Sequence, residues 1–308
     1  MKTTVIFHSA DYDGIFCREI ARKFLPDAEL IGWDFSDKPI KFPDDGTVYV
    51  LDLPVDRVFG FDPFSTSKVT GSGFLLNRVI WIDHHKSSIE SHPTDITGYR
   101  IDGVAACRLA WQWFAHNIDP NRQTKAEFLE RKVSEPLAVR LVGEYDVWDH
   151  RGDGDLEFQF GLDSEPQINW GWLLDPPEQH YFLETLDDPK FYTEHLIRNG
   201  KYAMQCYAKR DADVMRSRSF MVEFEGLKFL ALNTPRCNSQ TFLAKDVPAT
   251  GHDALMAFFW NGNNYVVSLY HAAHNRGIDL SQIAVKYGGG GHRGACGFTT
   301  KKFPFINP

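Results

Sequence analysis

Val79-Ile80-Trp81-Ile82-Asp83-His84-His85 is the stretch on which the fold turns. Four apolar residues in a row are short for a helix and suit a strand buried on both faces. The run then stops on three ionisable groups, which are costly at the mouth of a buried strand unless they have partners. Two other segments share this arrangement. Val5-Ile6-Phe7 stops on His8 and the polar loop Ser9-Ala10-Asp11-Tyr12-Asp13-Gly14, and residues 47–53, with Val48, Val50 and Leu51, carry Asp52 before Pro54. Ile15, Phe16, Ile20, Ala21 and Phe24 have helical spacing over residues 14–24, ended by Pro26, and residues 104–114 are apolar and helical. Residues 137–142 read as the end of another buried helix, running into Glu144-Tyr145-Asp146-Val147-Trp148-Asp149-His150. Short apolar strands alternating with helices predict an α/β domain, its mostly parallel sheet carrying helices on both faces.

Further along the pattern changes. Residues 152–190 read as irregular, with several Asp, Gly and Pro and with Trp170 and Trp172; residues 190–217 read as one long helix. Segments 220–224 and 228–232 flank Gly226 as a hairpin, and segments 254–260 and 265–270 are two more strands around Asn261-Gly262-Asn263-Asn264. A short helix over residues 281–286 precedes Gly288-Gly289-Gly290-Gly291-His292-Arg293. The expected organisation is a first domain over residues 1–185, a connector helix over 186–216, and a smaller C-terminal α/β domain over 217–308.

The charge balance narrows the function. Across 308 residues, 33 Lys and Arg stand against 41 Asp and Glu, a net charge of −8. Proteins that bind long duplex nucleic acid through its phosphates are usually basic, so that class is disfavoured. A small anionic ligand, held by local positive charge or by metal ions, fits better. No run of 18 apolar residues is present, so no membrane span is expected, and the N-terminus turns polar too soon for a secretory leader. Cys17, Cys107, Cys206, Cys237 and Cys296 are odd in number and widely spaced, which argues against a disulfide framework and a thiolate zinc site. A cytoplasmic location is the default expectation; a homodimer is left open.

Taken singly, Asp13 could simply cap a helix, Asp52 could be a turn residue, and Asp146 could end a solvated helix. Together, three strand ends of one sheet and one helix end each present Asp or His. Imidazole and carboxylate without thiolate suit Mn²⁺, and less specifically Fe, Co, Ni or Zn. Asp11, Asp13, Asp52 and Asp146 carry four negative charges, which two divalent cations would cancel. Paired cations about 3.5–4 Å apart are a recurring solution for phosphoryl hydrolysis.

These motifs resemble those of the DHH phosphoesterase superfamily over nearly the whole chain. His8, Asp11 and Asp13 resemble its first motif, Asp52 its second, Asp83-His84-His85 its third and Asp146 its fourth. Residues 288–295 resemble the glycine-rich signature of the associated C-terminal, DHHA1-type domain. The resemblance implies a hydrolase with two Mn²⁺ ions, Mg²⁺ or Co²⁺ being the substitutes. One ion would be held by His8, Asp11 and Asp52, the other by Asp13, Asp52, His84 and Asp146. Asp83 would orient a neighbouring ligand and His85 would face the substrate phosphate, making Asp83, His84 and His85 the catalytic triplet. Gly289, Gly290 and Gly291 would let backbone approach the substrate, with His292 and Arg293 meeting a phosphate.

Asp146-Val147-Trp148 is similar to the Asp-Leu-Trp of the oligoribonuclease and nucleotide phosphodiesterase branch, where Trp148 would stack on a base; a core Trp is the other reading. Ser268-Leu269 is followed here by Tyr270-His271 where that branch often has Arg. The implied substrate is a short oligonucleotide or small nucleotide. A nucleotide 3′-phosphatase or cyclic (di)nucleotide phosphodiesterase is the alternative, and a non-catalytic nucleotide-binding module the more distant one.

Overall fold

In the computed structural model the side chains of β1 (Thr3–His8) alternate between two cores. Val5 and Phe7 enter one and Ile6 the other, and all three are buried. β3 (Thr47–Leu51) behaves alike, with Val48 and Val50 opposite Leu51. Strands buried on both faces belong in a parallel sheet covered by helices. With β2 (Glu29–Trp33), β4 (Val79–Asp83) and β5 (Gly98–Arg100), they form a five-stranded parallel sheet in the order β2-β1-β3-β4-β5.

Helices α1 (Tyr12–Phe24), α4 (Ala106–His116) and α6 (Leu137–Asp146) pack on one face; α2 (Val55–Phe59) packs on the other. The short helices α3 (Lys86–Glu90) and α5 (Lys125–Leu129) lie between them in sequence, and α7 (Asp155–Ser164) and α8 (Trp170–Leu174) follow α6.

The structure describes residues 2–64, 78–93, 96–116, 124–175, 191–235, 251–272 and 274–302. Two compact units are distinguished, Met1–Lys201 and Tyr202–Pro308, and α9 (Tyr192–Arg218) begins in the first and ends in the second. The second unit is built on a six-stranded mixed sheet in the order β10-β11-β9-β8-β7-β6. Its strands are β6 (Ser219–Phe224), β7 (Leu227–Asn233), β8 (Ala254–Trp260), β9 (Tyr265–His271), β10 (Gly290–His292) and β11 (Ala295–Thr300), with α10 (Ser281–Lys286) on one face. The sheet-and-helix class of both units is the α/β one expected. The expected domain limit at residue 185 falls outside the described residues. Among the described residues no helix is long and apolar enough to cross a membrane.

Two local readings are corrected. Part of the stretch read as irregular is helical, in α7 and α8. In α7 the apolar residues Leu156, Phe158, Phe160 and Leu162 recur every second position, which hides a helical period. The helix is held by close packing: a Cβ on Gly161 would meet Leu196 O at 2.1 Å, and one on Gly200 would meet Glu157 O at 1.7 Å. Residues 137–142 begin a helix and do not end one, because Pro136 stands at the N-cap of α6, where its missing N–H costs nothing.

Beneath the sheet, Arg108 of α4 and Glu135 are both almost wholly buried and form an ion pair, with Arg108 also donating to Phe128 O at 3.2 Å. Removing one partner leaves an uncompensated buried charge, which costs about 3–5 kcal/mol. Arg108→Met should therefore lower unfolding stability by about that amount in urea titrations, and the double variant Arg108→Met/Glu135→Leu should recover much of the loss. A single variant as stable as the parent would show that the pair contributes nothing to holding α4.

Candidate metal centre

Strand register builds the site. Phe7 pairs with Leu51, and Leu51 with Ile82, so three adjacent parallel strands end level. The next residues, His8, Asp52 and Asp83, stand in a row along the carboxyl edge, about 4.8 Å apart from strand to strand. His8 is in turn level with Trp33, so Asp34 follows one residue beyond the row.

The loop after β1 supplies two more carboxylates. Asp11 is the N-cap of α1, its side chain accepting from Gly14 N at 3.0 Å. Gly14 permits this turn because a Cβ there would lie 2.1 Å from His8 O. Within the first turn of α1, buried Asp13 accepts from Ala106 N at 2.8 Å and Cys107 N at 2.7 Å. It thus caps the start of α4 as well as facing the cluster.

The side chains then converge. His8 Nδ1 lies 2.9 Å from Asp11 Oδ2 and 3.3 Å from Asp52 Oδ2. His84 Nε2 lies 3.3 Å from Asp52 Oδ1, 3.4 Å from Asp146 Oδ2 and 3.6 Å from Asp13 Oδ2. Donor atoms of His8, Asp11 and Asp52 all fall within 4.8 Å of one another, as do those of Asp13, His84 and Asp146. Asp52 reaches a histidine of each group with a different oxygen. It does so from a left-handed backbone, φ 60°, uncommon outside glycine though tolerated by Asp.

Asp52 Oδ1 and Asp146 Oδ2 are buried and accept no hydrogen bond of good geometry. Lone pairs that converge on a common point without hydrogen bonding suit a divalent cation, and the O/N donor set suits Mn²⁺ or Mg²⁺ better than a thiophilic ion.

The charge state agrees with a demand for cations. Burial lifts the Asp13 carboxyl well above the usual range, and Asp52 and Asp146 lift it further. Burial likewise raises Asp146, to about 6, against the pull of His84. Burial works against charge on His8, but hydrogen bonds with Asp11 and Asp52 outweigh it and raise the imidazole to about 11. His84 is raised in the same way, Asp146 and Asp52 overcoming its burial. Asp52, between two imidazolium groups, is held well below its ordinary value despite burial. The histidines therefore serve as stand-in cations in the ion-free chain.

Asp83 is fully buried and does not join the two groups around His8 and His84. Its Oδ1 accepts from His84 N at 2.7 Å and His85 N at 3.2 Å, and sits 2.7 Å from His85 Nδ1. That contact orients the His85 ring. Burial opposes its charge, but Asp83 raises it to about 9.

Asp34, missed in the sequence, lies 3.5 Å from His8 Nε2. Its signal was the strand end at Trp33, on a strand too exposed to read. Trp148 is 38% exposed, with φ 61°, and its ring centroid is 5.7 Å from that of His150; the core reading of this Trp does not hold.

The glycine-rich stretch, in the second unit, separates by position. A Cβ on Gly289 would meet Gly297 O at 2.0 Å and one on Gly291 would meet Cys296 Cα at 2.7 Å, so the sheet itself requires both glycines. Gly290 alone of Gly289, Gly290 and Gly291 opens onto space. His292 and Arg293 are exposed, and the Arg293 guanidinium donates to Gly277 O.

No family model matches the chain, and no curated protein matches it. Solved structures do. The pGpG-specific phosphodiesterase PggH from Vibrio cholerae is 13% identical with a TM-score of 0.42, the alignment covering 98% of this chain and 94% of that one. An exopolyphosphatase-related protein from Bacteroides fragilis is 11% identical, TM-score 0.43, covering 99% and 88%. RecJ from Thermus thermophilus in complex with Mn²⁺ is 14% identical, TM-score 0.46, covering 97% of this chain and 49% of RecJ.

Only neutral imidazole binds a metal, so Mn²⁺ uptake at pH 7.5 should expel protons from His8 and His84, and apparent affinity should climb from pH 6.5 to 9. Calorimetry in two buffers of different ionisation enthalpy measures both; affinity flat in pH would remove these histidines from the ligand set. The ion-free chain should behave oppositely in stability. The raised values of His85 and His8 favour folding fully below about pH 6.5, and that contribution drains away as pH rises through about 9 and 11. Urea midpoints of the ion-free chain should fall over that range.

Proposed function

We propose that this chain is a two-metal, Mn²⁺-supported phosphoesterase that hydrolyses phosphodiester bonds in short oligonucleotides or small nucleotides. The observation that carries the reading is the convergence of His8, Asp11 and Asp52, and of Asp13, His84 and Asp146, at the carboxyl edge of one parallel sheet, with Asp52 reaching both groups. Six ligands from four separate segments are all Asp or His, a completeness that a module without catalytic use has no reason to keep. When bound, the ions supply Lewis acidity that stabilises negative charge on the reacting phosphoryl oxygens.

The chain's own residues do the rest. Asp52 is the shared ligand and fixes the spacing of the two groups. Asp13 is held by two α4 amides, so its carboxylate enters the cluster already oriented. Asp83 fixes His85 at Nδ1, and the protonated ring offers its Nε2–H to an anionic phosphate oxygen. Trp148, exposed beyond Asp146, is assigned to stacking on a base. In the second unit, Gly290, His292 and Arg293 are assigned to phosphate contact, with Gly289 and Gly291 shaping their strand.

The acidic overall charge fits a small substrate. A nucleotide 3′-phosphatase or a cyclic (di)nucleotide phosphodiesterase would use the same residues. A Mn²⁺-supplemented screen of dinucleotides, cyclic mono- and dinucleotides and 3′-phosphonucleotides separates these substrates, and no turnover of any phosphoester would end the proposal.

Two variants test the assignments. Asp52→Ala should bind fewer than two Mn²⁺ per chain and lose nearly all turnover; retention of both ions and full activity would remove the shared-ligand role. Arg293→Ala should keep the ions, and its kcat/KM on a nucleotide substrate should fall roughly ten- to a hundredfold, the loss of one charged hydrogen bond. Bis(p-nitrophenyl) phosphate, which offers no base or flanking phosphate, should be nearly indifferent to Arg293→Ala yet inert with His84→Ala.

A further inference from the structure

The second unit carries an aromatic ledge that the metal chemistry does not use. Strands β8 and β9 have seven residues each, about 23 Å, whereas the six-residue helix α10 on the same face is about 9 Å long. The helix covers Phe229, Met256, Leu269 and Phe298, and the sheet runs on beyond them. Further along the strands the helix-facing positions Phe220, Asn233, Phe258, Trp260 and Tyr265 line a cavity of about 600 Å³, with Phe258 buried.

Trp260 and Tyr265 pair across β8 and β9 with ring centroids 4.9 Å apart. Phe220 lies edge-on to Phe258 at 6.1 Å. Trp260 is 51% and Phe220 41% exposed, which is unfavourable in open water for rings of this size.

Cations stand at both margins. Thr300 of β11 pairs with Tyr265, so Lys301 and Lys302 follow directly at one side, both exposed. Exposed Arg218 precedes β6 at the other side, where Arg216 is engaged with Asp213. The turn that closes the ledge, Asn261-Gly262-Asn263-Asn264, is uncharged. The glycine-rich stretch lies further along the strands: Gly290 is level with Ser268, three residues or about 10 Å from Tyr265, and His292 is level with Tyr270, five residues or about 17 Å away.

We propose that this ledge binds single-stranded oligonucleotide, stacking bases on Phe220, Trp260 and Tyr265 while Arg218, Lys301 and Lys302 meet the phosphates. Exposed π-faces between cationic margins form a sequence-tolerant single-strand platform. An aliphatic protein segment would gain nothing from the cations, and the neutral turn leaves the anionic backbone unopposed. Asn233, with an amide donor and acceptor at the ledge, can meet a base edge.

The test uses the full chain in EDTA, so binding is read without the metal centre and its outcome is separate from that of the phosphoesterase reading. Fluorescein-labelled dT12 and U12 are titrated by anisotropy at several salt concentrations. Trp260→Ala and Tyr265→Ala should each weaken binding roughly tenfold, while Trp260→Phe, which keeps a ring, should retain most of it. Lys301→Gln/Lys302→Gln should flatten the salt dependence by about 1.4 in log–log slope, about 0.7 for each phosphate no longer neutralised. A 4-thiouridine strand should crosslink to the peptide carrying Trp260 or Tyr265. Wild-type chain that does not bind either strand, or ledge variants that bind as tightly as wild type, would overturn the proposal. So would ledge variants that convert a dimer to a monomer in ultracentrifugation with strand binding intact, since a second copy would then be the occupant.

Discussion

Everything at the candidate centre depends on the level ending of β1, β3 and β4. Three parallel strands held in one register by Phe7, Leu51 and Ile82 deliver His8, Asp52 and Asp83 to neighbouring places on one edge. A slip of one residue would turn each of them to the opposite face of the sheet. The division of side chains between two cores, with Val5, Phe7 and Leu51 in one and Ile6, Val48 and Val50 in the other, is therefore also what fixes the chemistry.

Concentrating carboxylates on such an edge is electrostatically adverse, and the fold answers at several levels. The amides at the start of α4 take both oxygens of Asp13, and the positive end of the helix favours its charge. His8 and His84 accept protons that they would not hold elsewhere. Asp83 stays out of the converging groups, committing one oxygen to two backbone amides and the ring of His85. The result is a cluster whose neutrality is provisional, supplied by protons that a cation can displace.

Much of this was legible in the sequence because the signals were sharp. Apolar runs that end abruptly on Asp or His are uncommon enough to be read one by one, and β1, β3 and β4 are all visible in this way. What was missed had no such contrast. Half-exposed β2 has only Leu30, Ile31 and Trp33 to announce it, so Asp34 went unseen. In α7, aromatic and aliphatic residues at every second position mimic a strand, and the glycines that let α7 and α9 approach carry no periodicity. The double duty of Asp13 could not be read either, since its partners Ala106 and Cys107 are more than ninety positions away and act through backbone. Four consecutive glycines looked like one device; the structure divides them, Gly289 and Gly291 being demanded by β11 and Gly288 and Gly290 left open.

The hydrogen bonds from Asp13 to the first amides of α4 also join ion supply to the lifetime of the protein. That helix contributes Ala106, Leu109 and Ala110 to the main core, so a ligand of the cluster is at the same time a fastening of the interior. Any ion held by the folded chain and not by the unfolded one adds to stability by mass action, in step with its free concentration. A chain starved of divalent cations would open more often and meet proteases more often, and its abundance in a cell would follow the metal available to it.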